Sequence, residues 1–117
     1  MAYKSGFERS FVANLAVRKI KFSYEPLKVP YILECEYNPD FFFPDHGFYV
    51  ETKGKLLASE RRKHLAVKKQ HPELDLRFCF MEAHKKMPGT RSTHAQWADR
   101  HGFLWCDKEI PEEWFNA

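Results

Sequence analysis

The sequence has few of the residues that hold small proteins together by covalent or metal cross-links. Its 117 residues include 3 cysteines, an odd number, with no C-x-x-C pair among them. The wide spacing of Cys35, Cys79 and Cys106 argues against both a disulfide framework and a structural zinc ribbon. We therefore expect free thiols in a reducing compartment, with Cys79 and Cys106 acting as small buried hydrophobic side chains.

Long apolar runs are missing as well. No stretch approaches the ~20 apolar residues that a membrane-spanning helix needs, and no signal-peptide core opens the chain. There are only 5 glycines, and no internal repeat, low-complexity tract or linker interrupts the sequence. These absences predict a soluble, intracellular protein made of a single domain over residues 1–117.

Charge of one sign is not dominant, because 19 Lys and Arg residues are set against 16 Asp and Glu residues for a net charge of +3. This mild excess permits a polyanionic partner without requiring one. The abundant feature is apolar bulk, with 44% hydrophobic residues and 11 Phe. Since a domain of this length buries only a modest core, such bulk also favours burial against a second subunit.

Periodicity and turn signals predict an α/β protein with the element order α-β-β-β-α-β-α-β. Capping-box patterns at Ser5–Glu8 and Thr93–Gln96 each open a helix. We expect an extended stretch over residues 21–33, a helix over 59–70, strands over 76–80 and 103–106, and a final turn over 111–115. A mixed sheet flanked by helices is the packing that suits this order.

The segment between Tyr37 and Lys53 is typical of a β-hairpin whose loop is residues 44–47. With this loop Asp40 lies opposite Glu51, their Cβ atoms roughly 5 Å apart, and Lys53 shares the face of Glu51. A bulge, which is common beside active sites, would change which residues lie opposite each other and which share a face. The opposite face, which we expect to be the core side, collects Phe41, Phe43, Phe48 and Val50.

Two carboxylates this close together repel each other unless a cation lies between them. Carboxylate oxygens and water are the ligands that Mg²⁺ and Mn²⁺ prefer. A lysine at position 53 would then orient or deprotonate an attacking water, or stabilise charge on a phosphate. On spacing alone, a surface cluster of weak, exposed ion pairs explains Asp40, Glu51 and Lys53 equally well.

Glu8 also has two interpretations. At the third position of the first helix it simply completes the capping box. On a helical wheel, however, it falls near the middle of the helix's apolar arc, where an unpaired carboxylate facing a core is costly. A role at a metal site, directly or through water, explains this position, and we favour it.

These residues resemble a known family. Pro39-Asp40 followed by Glu51-Thr52-Lys53 is the PD-(D/E)xK nuclease signature, which is weak alone. Its context is similar to the bacteriophage endonuclease I family, resolvases of four-way (Holliday) DNA junctions. The ordered matches run from about Ser5 to Trp114 and comprise Ser5-Gly6-x-Glu8, Lys28-Val29-Pro30-Tyr31, Tyr37-x-Pro39-Asp40-Phe41, Val50-Glu51-Thr52-Lys53-Gly54, Arg62-Lys63-His64-Leu65, Gln70-His71-Pro72-Glu73-Leu74-Asp75 and Ile110-Pro111-Glu112-Glu113-Trp114.

The resemblance implies a restriction-endonuclease-like fold and a metal-dependent endonuclease that cuts branched DNA to leave 5′-phosphates. Asp40 and Glu51 would bind Mg²⁺ or Mn²⁺ with the carbonyl of Thr52, Glu8 would serve a second metal ion, and Lys53 would be the catalytic lysine. The resemblance also implies a domain-swapped homodimer, acting in the cytoplasm of a bacterial host cell.

We expect about residues 1–24 to be exchanged between protomers, with 25–36 as the bridge, because Pro26 and Pro30 make this connection stiff. The family's longer N-terminal arm and basic C-terminal tail have no counterpart in this sequence. Both differences bear on contacts to DNA.

Two groups of basic residues are candidates for contact with DNA phosphates, and solvated surface charge explains them equally well. They are Arg61, Arg62 and Lys63 in the predicted helix and Lys85, Lys86 and Arg91 in a later loop. His64 and His71 lack a Cys or His at ligand spacing, so zinc is not expected.

Two rival functions stay open at this point. One is a nicking, homing or mismatch-directed endonuclease built on the same core. The other is a non-catalytic DNA-binding domain, although such a domain has no need of carboxylates beside phosphate.

Overall fold

The structure is a computed structural model that describes residues 3–116. Its backbone divides into two compact units, which meet in sequence between Glu34 and Cys35. The elements are α1 (Gly6–Val17), β1 (Phe41–Phe43), β2 (Phe48–Lys53), α2 (Ala58–Gln70), β3 (Leu76–Phe80), α3 (His94–Arg100), β4 (Trp105–Asp107) and a 3-10 turn (Glu112–Trp114). The predicted α/β class is confirmed, whereas the assignment of residues 1–117 to a single domain stays a prediction.

The first unit contains helix α1. The Ser5 hydroxyl caps it by accepting a hydrogen bond from the backbone N–H of Glu8 at 3.1 Å. The Glu8 carboxylate reaches back to the backbone N–H of Lys4 at 2.7 Å, one residue beyond the partner that a capping box uses. Helix α1 buries none of its residues, and Phe7 is 79% exposed. Within a single chain, the apolar arc around Glu8 is therefore not packed onto a core.

The strand expected over residues 21–33 is also wrong. Within residues 3–116 no strand precedes β1. Pro26 and Pro30 lack the N–H groups that a ladder needs, and residues 21–33 pair with no strand in the part of the chain that the structure describes. Five apolar side chains after Pro26 are 67% to 93% exposed, namely Leu27, Val29, Tyr31, Ile32 and Leu33.

The second unit is built on a four-stranded mixed sheet in the order β1-β2-β3-β4. Strand β1 is antiparallel to β2, with Phe41 opposite Val50 and Phe43 opposite Phe48. This confirms the predicted hairpin register and its loop at residues 44–47, which Gly47 closes with a positive φ of 76°. Strands β2, β3 and β4 are parallel, and α2 and α3 connect them, as parallel pairing requires.

The larger hydrophobic core lies on the sheet face that carries Glu51. In the parallel register Glu51 is level with Phe78 and Lys53 with Phe80, so these side chains share a face. Phe78 and Phe80 are fully buried, and Trp97 of α3 packs edge-on against Phe78 with ring centroids 5.7 Å apart. The chemistry predicted for β2 thus lies on the more deeply covered face of the sheet.

The opposite face is covered by the C-terminal 3-10 turn. Phe48 and Val50 are buried there, and Trp114 packs edge-on to Phe48 with ring centroids 5.8 Å apart. Phe41, on the edge strand, is 54% exposed. The expectation that this face is a core side is confirmed for Phe48 and Val50 but not for Phe41. The face that carries Glu51 is a core side as well, because parallel strands are usually covered on both faces.

The remaining predicted boundaries are close to those observed. Helix α2 ends at Gln70, before Pro72, and the capping box of Thr93 and Gln96 is complete. Cys79 and Cys106 are free and level with each other on β3 and β4. Burial and the neighbouring Cys79 raise the pKa of the Cys106 thiol to about 12, which makes it unreactive. Among residues 3–116, no helix is long and apolar enough to cross a membrane.

Helix α2 buries His64 completely, between the aromatic rings of Phe78 and Tyr37. Neither ring nitrogen has a hydrogen-bond partner among the residues that the structure describes. Burial, helped by the nearby Lys63 and Lys53, lowers the pKa of His64 from 6.5 to about 4, and the opposing effects of Glu60 and Asp40 are smaller. The folded protein therefore keeps this imidazole neutral at mildly acidic pH.

This burial predicts a specific loss of stability in acid. The unfolded chain protonates His64 below about pH 6.5, while the folded chain resists protonation until about pH 4. The contribution of neutral His64 to the free energy of unfolding is fully present above the unfolded pKa. It is lost as pH falls towards the folded pKa, by on the order of 2–3 kcal/mol. Urea unfolding should therefore show a shallower pH dependence between pH 6.5 and 4 in His64→Leu than in the wild type. Equal slopes in the two proteins would contradict this account.

Candidate active site

Glu51 lies at the middle of the candidate site. Strand β2 places it on the core face, where it is 5% exposed. Its Oε1 accepts a hydrogen bond from the Tyr37 hydroxyl at 2.7 Å, and its Oε2 lies 3.1 Å from Nζ of Lys53. Since a buried carboxylate is costly without partners, these contacts offset the cost of burying Glu51. An exposed surface ion pair does not describe Glu51 and Lys53, whose side chains are 6% and 13% exposed.

Lys53 is held between two carboxylates. Its Nζ lies 2.8 Å from Oε2 of Glu60, on helix α2, in addition to its contact with Glu51. Burial by itself would lower the pKa of Lys53, but the bonds to Glu60 and Glu51 outweigh it and raise that pKa. Lys53 therefore remains an ammonium at neutral pH. In this state it can donate to a phosphate oxygen or orient a water.

Asp40 directly precedes β1 and lies alongside β2. Its Oδ2 accepts two hydrogen bonds from Thr52, one from the backbone N–H and one from the hydroxyl, each at 2.9 Å. The paired residues end with Phe41 opposite Val50. Asp40, one residue before β1, is therefore close to the residues that follow Val50 on β2. The hairpin thus brings Asp40 next to the residue that separates Glu51 from Lys53.

Tyr37 is a further member of the site that the sequence reasoning did not single out. Burial and the hydrogen bond to Glu51 raise the pKa of Tyr37 well above its usual range. The phenol therefore keeps its proton and acts as a donor. In the family resemblance Tyr37 is one matched residue of the motif around Pro39-Asp40. Nothing in the sequence pattern connects it to Glu51. Glu60 was missed for a similar reason, since it stands at the start of a run of basic residues.

The donor set fits a hydrated divalent cation. Among residues 3–116 no group of three or more His, Cys, Asp and Glu side chains is arranged as a metal site. Magnesium, however, commonly binds one or two carboxylates and keeps several waters. Glu51 and Glu60 place two carboxylates at the ammonium of Lys53, and Asp40 lies at the adjacent Thr52. A divalent cation would balance the excess negative charge of these three carboxylates.

Glu8 belongs to the first unit, whereas Asp40, Glu51, Thr52 and Lys53 belong to the second. The Glu8 carboxylate accepts a hydrogen bond from the Tyr24 hydroxyl at 3.0 Å, besides its bond to the backbone of Lys4. Its proposed role at a metal ion stays a prediction.

The candidate DNA-binding residues differ in their surroundings. Arg61 donates to the backbone carbonyl of Leu56 at 2.6 Å and to that of Pro88 at 3.5 Å, so it connects α2 to the loop after β3. Lys85 pairs with Glu82 at 3.3 Å. The other five candidates are exposed to solvent, namely Arg62 and Lys63 on α2 and Lys85, Lys86 and Arg91 in the loop after β3.

Comparison with known proteins identifies the family of this chain. The family model for phage endonuclease I matches residues 1–117. The chain is 40% identical over 119 residues to Endonuclease I of Escherichia phage T7, covering 98% of this chain and 79% of that protein. It is 39% identical over 114 residues to Endodeoxyribonuclease 1 of Enterobacteria phage T3, covering 94% of this chain and 74% of that protein.

These similarities, together with an α/β fold that gathers carboxylates and a lysine at one site, define the class: the protein is an endonuclease that acts on DNA. More particularly, the chain belongs to the phage endonuclease I family. The rival interpretation as a non-catalytic DNA-binding domain is therefore wrong.

Proposed function

We propose that the protein is a metal-dependent endonuclease that hydrolyses phosphodiester bonds in branched DNA, and in four-way junctions in particular, to leave 5′-phosphates. The chemistry rests on one observation, the buried pair of Glu51 and Lys53 beside Asp40. The preference for branched DNA rests on the family resemblance. Cleavage of a synthetic four-way junction, compared with a plain and a mismatched duplex in Mg²⁺, tests this preference against a nicking, homing or mismatch-directed enzyme.

Asp40 and Glu51 would hold Mg²⁺ or Mn²⁺, with the carbonyl of Thr52 as a further ligand. Such an ion, held by these residues, would supply Lewis-acid polarisation of the phosphate and would make an attacking water more acidic. Lys53 stays positively charged and donates towards the phosphate oxygen on which charge develops in the transition state. Burial strengthens this interaction, because the local dielectric is lower than that of water.

We also propose a homodimer that exchanges its first unit. Helix α1 buries none of its residues, and the apolar side chains that follow it are exposed. Contiguous exposed apolar surface of this kind marks an interaction site. A second copy of the chain would cover this surface and would place its Glu8 at the other protomer's Asp40, Glu51 and Lys53.

The metal proposal predicts that Asp40→Asn abolishes cleavage and weakens Mn²⁺ binding, because the neutral amide removes charge that holds the ion. Folding should survive, since the amide oxygen can still accept the bonds from Thr52. Calorimetric titration with Mn²⁺ and a junction-cleavage assay measure the two effects. Asp45→Asn, in the hairpin loop, is the matched control and should behave as the wild type. Normal turnover by Asp40→Asn at saturating metal would overturn the proposal.

The role of Lys53 is tested by separating binding from turnover. Lys53→Ala should lose turnover but bind four-way junctions within about tenfold of the wild type, because a catalytic lysine acts mainly on the transition state. Gel-shift titration in Ca²⁺ and single-turnover cleavage in Mg²⁺ give the two values. Lys55→Ala, two residues further on, controls for loss of a positive charge nearby. A parallel loss of binding and cleavage would make Lys53 a simple phosphate contact.

Exchange of the first unit is tested by complementation. Glu8→Ala and Lys53→Ala, each inactive, are unfolded together and refolded as a mixture. In an exchanged dimer the heterodimer has one intact site, built from one chain's Glu8 and the other chain's Lys53, and should nick junctions. A mixture of Asp40→Asn with Lys53→Ala is the control and should stay inactive, since each site then keeps one defect. No recovery in the first mixture, or a monomer in sedimentation at micromolar concentration, would refute exchange.

A further inference from the structure

Tyr37 connects the candidate active site to helix α2. Its hydroxyl donates to Oε1 of Glu51 at 2.7 Å. Its ring meets the ring of His64 edge-on, with centroids 5.2 Å apart and planes at 85°. The ammonium of Lys63 lies over the same ring, 5.2 Å from its centroid. The phenol is thus held on one side by two consecutive residues of α2 and on the other by a buried carboxylate.

We propose that Tyr37 is a positioning residue that fixes the carboxylate of Glu51 for metal binding, with His64 and Lys63 fixing Tyr37 in turn. The inference rests on the proposed function, because it assumes that Glu51 binds a divalent cation. It assigns Tyr37 a role beside the metal ligands rather than among them. Groups that orient a ligand in this way usually change metal affinity or activity about 10- to 100-fold when they are removed.

The geometry explains why this hydroxyl matters. Tyr37 occupies one oxygen of Glu51 and Lys53 the other, so the plane of the carboxylate is determined by two donors on opposite sides. Lys53 is shared with Glu60 and can be drawn towards a bound phosphate, whereas the phenol is anchored by packing. When substrate and metal rearrange Lys53, Tyr37 is therefore the donor that keeps Glu51 in place.

His64 supports the same interpretation. A fully buried imidazole whose ring nitrogens have no hydrogen-bond partner within residues 3–116 is costly, and an apolar side chain would avoid that cost. Its edge-on contacts with Phe78 and Tyr37, with ring centroids 4.9 and 5.2 Å apart, are specific to an aromatic ring. These contacts stabilise the packing of α2 against Phe78 and Tyr37, and an aliphatic side chain at position 64 could not make them.

The decisive test compares Tyr37→Phe with Tyr49→Phe. Tyr49 is also partly buried against the core and lies on β2 itself, so it controls for the loss of a phenol hydroxyl. Calorimetric titration of the DNA-free dimer or monomer with Mn²⁺ should show about 10- to 100-fold weaker binding for Tyr37→Phe and unchanged binding for Tyr49→Phe. The half-saturating Mn²⁺ concentration for junction cleavage should rise by the same factor, with single-turnover rate at saturating Mn²⁺ within about threefold of the wild type.

A merely structural role for Tyr37 predicts a different outcome, namely a lower melting temperature with unchanged Mn²⁺ affinity, and that result would overturn the inference.

His64→Leu is the second variant. It removes the edge-on support but leaves the hydroxyl, so it should weaken Mn²⁺ binding in the same direction and less than Tyr37→Phe does. If the wild type itself binds no Mn²⁺, the proposed function fails. If the wild type binds and Tyr37→Phe binds equally well, only the inference about Tyr37 fails.

Discussion

A charged carboxylate on the core face of a sheet is the constraint around which the second unit is organised. Glu51 is level with the fully buried Phe78, where desolvation would penalise it heavily without partners. Tyr37 and Lys53 each bond one of its oxygens, and Glu60 offsets the charge of Lys53. A core position occupied by such a network costs stability that a hydrophobic residue would not cost. The position is explained by chemistry rather than by packing.

The same constraint accounts for the placement of helix α2. This helix supplies Glu60 to Lys53, Lys63 to the face of Tyr37 and His64 to its edge. One turn of α2 separates Glu60 from His64, so residues on a single side of the helix reach both Lys53 and Tyr37. The crossover that connects β2 to β3 therefore also supports the residues of β2 that carry the chemistry. A change in how α2 packs would be transmitted directly to Glu51.

Some of this could be predicted from the sequence, because strand alternation and loop length determine a hairpin register locally. The pairing that brings Asp40 beside β2 follows from four loop residues and the phenylalanines on each side. Which face of β2 carries the larger core could not be predicted in that way. That depends on the parallel pairing with β3, more than twenty residues further along, and on Phe78 and Phe80. When both faces of a strand are covered, the alternation of apolar and polar residues does not indicate which face packs against the larger core.

The residues that support the site were missed for a related reason. Tyr37 and Glu51 are 14 positions apart, and their contact exists only once the hairpin has formed and α2 has packed over it. Glu60 lies in the first turn of α2, and the other charged residues of this helix are basic. The composition of the helix therefore indicates a solvated surface, and it gives no sign of the ion pair with Lys53. The strand expected over residues 21–33 is a different error, because a structure was predicted there that does not form. Val29, Tyr31 and Ile32 have high strand propensity, but propensity forms no ladder without a partner strand.

The contrast between the two units gives the proposed dimer its physical meaning. The second unit buries Phe78, Phe80 and Trp97, while α1 in the first unit buries none of its residues. The second unit also carries Asp40, Glu51 and Lys53. If a second chain covers the first unit and receives its Glu8, burial of apolar surface and completion of the active site become one event. Stability and activity would then both depend on protein concentration, since association stabilises the folded state by mass action. An endonuclease assembled in this way would cut only as a dimer, with its two sites fixed relative to each other.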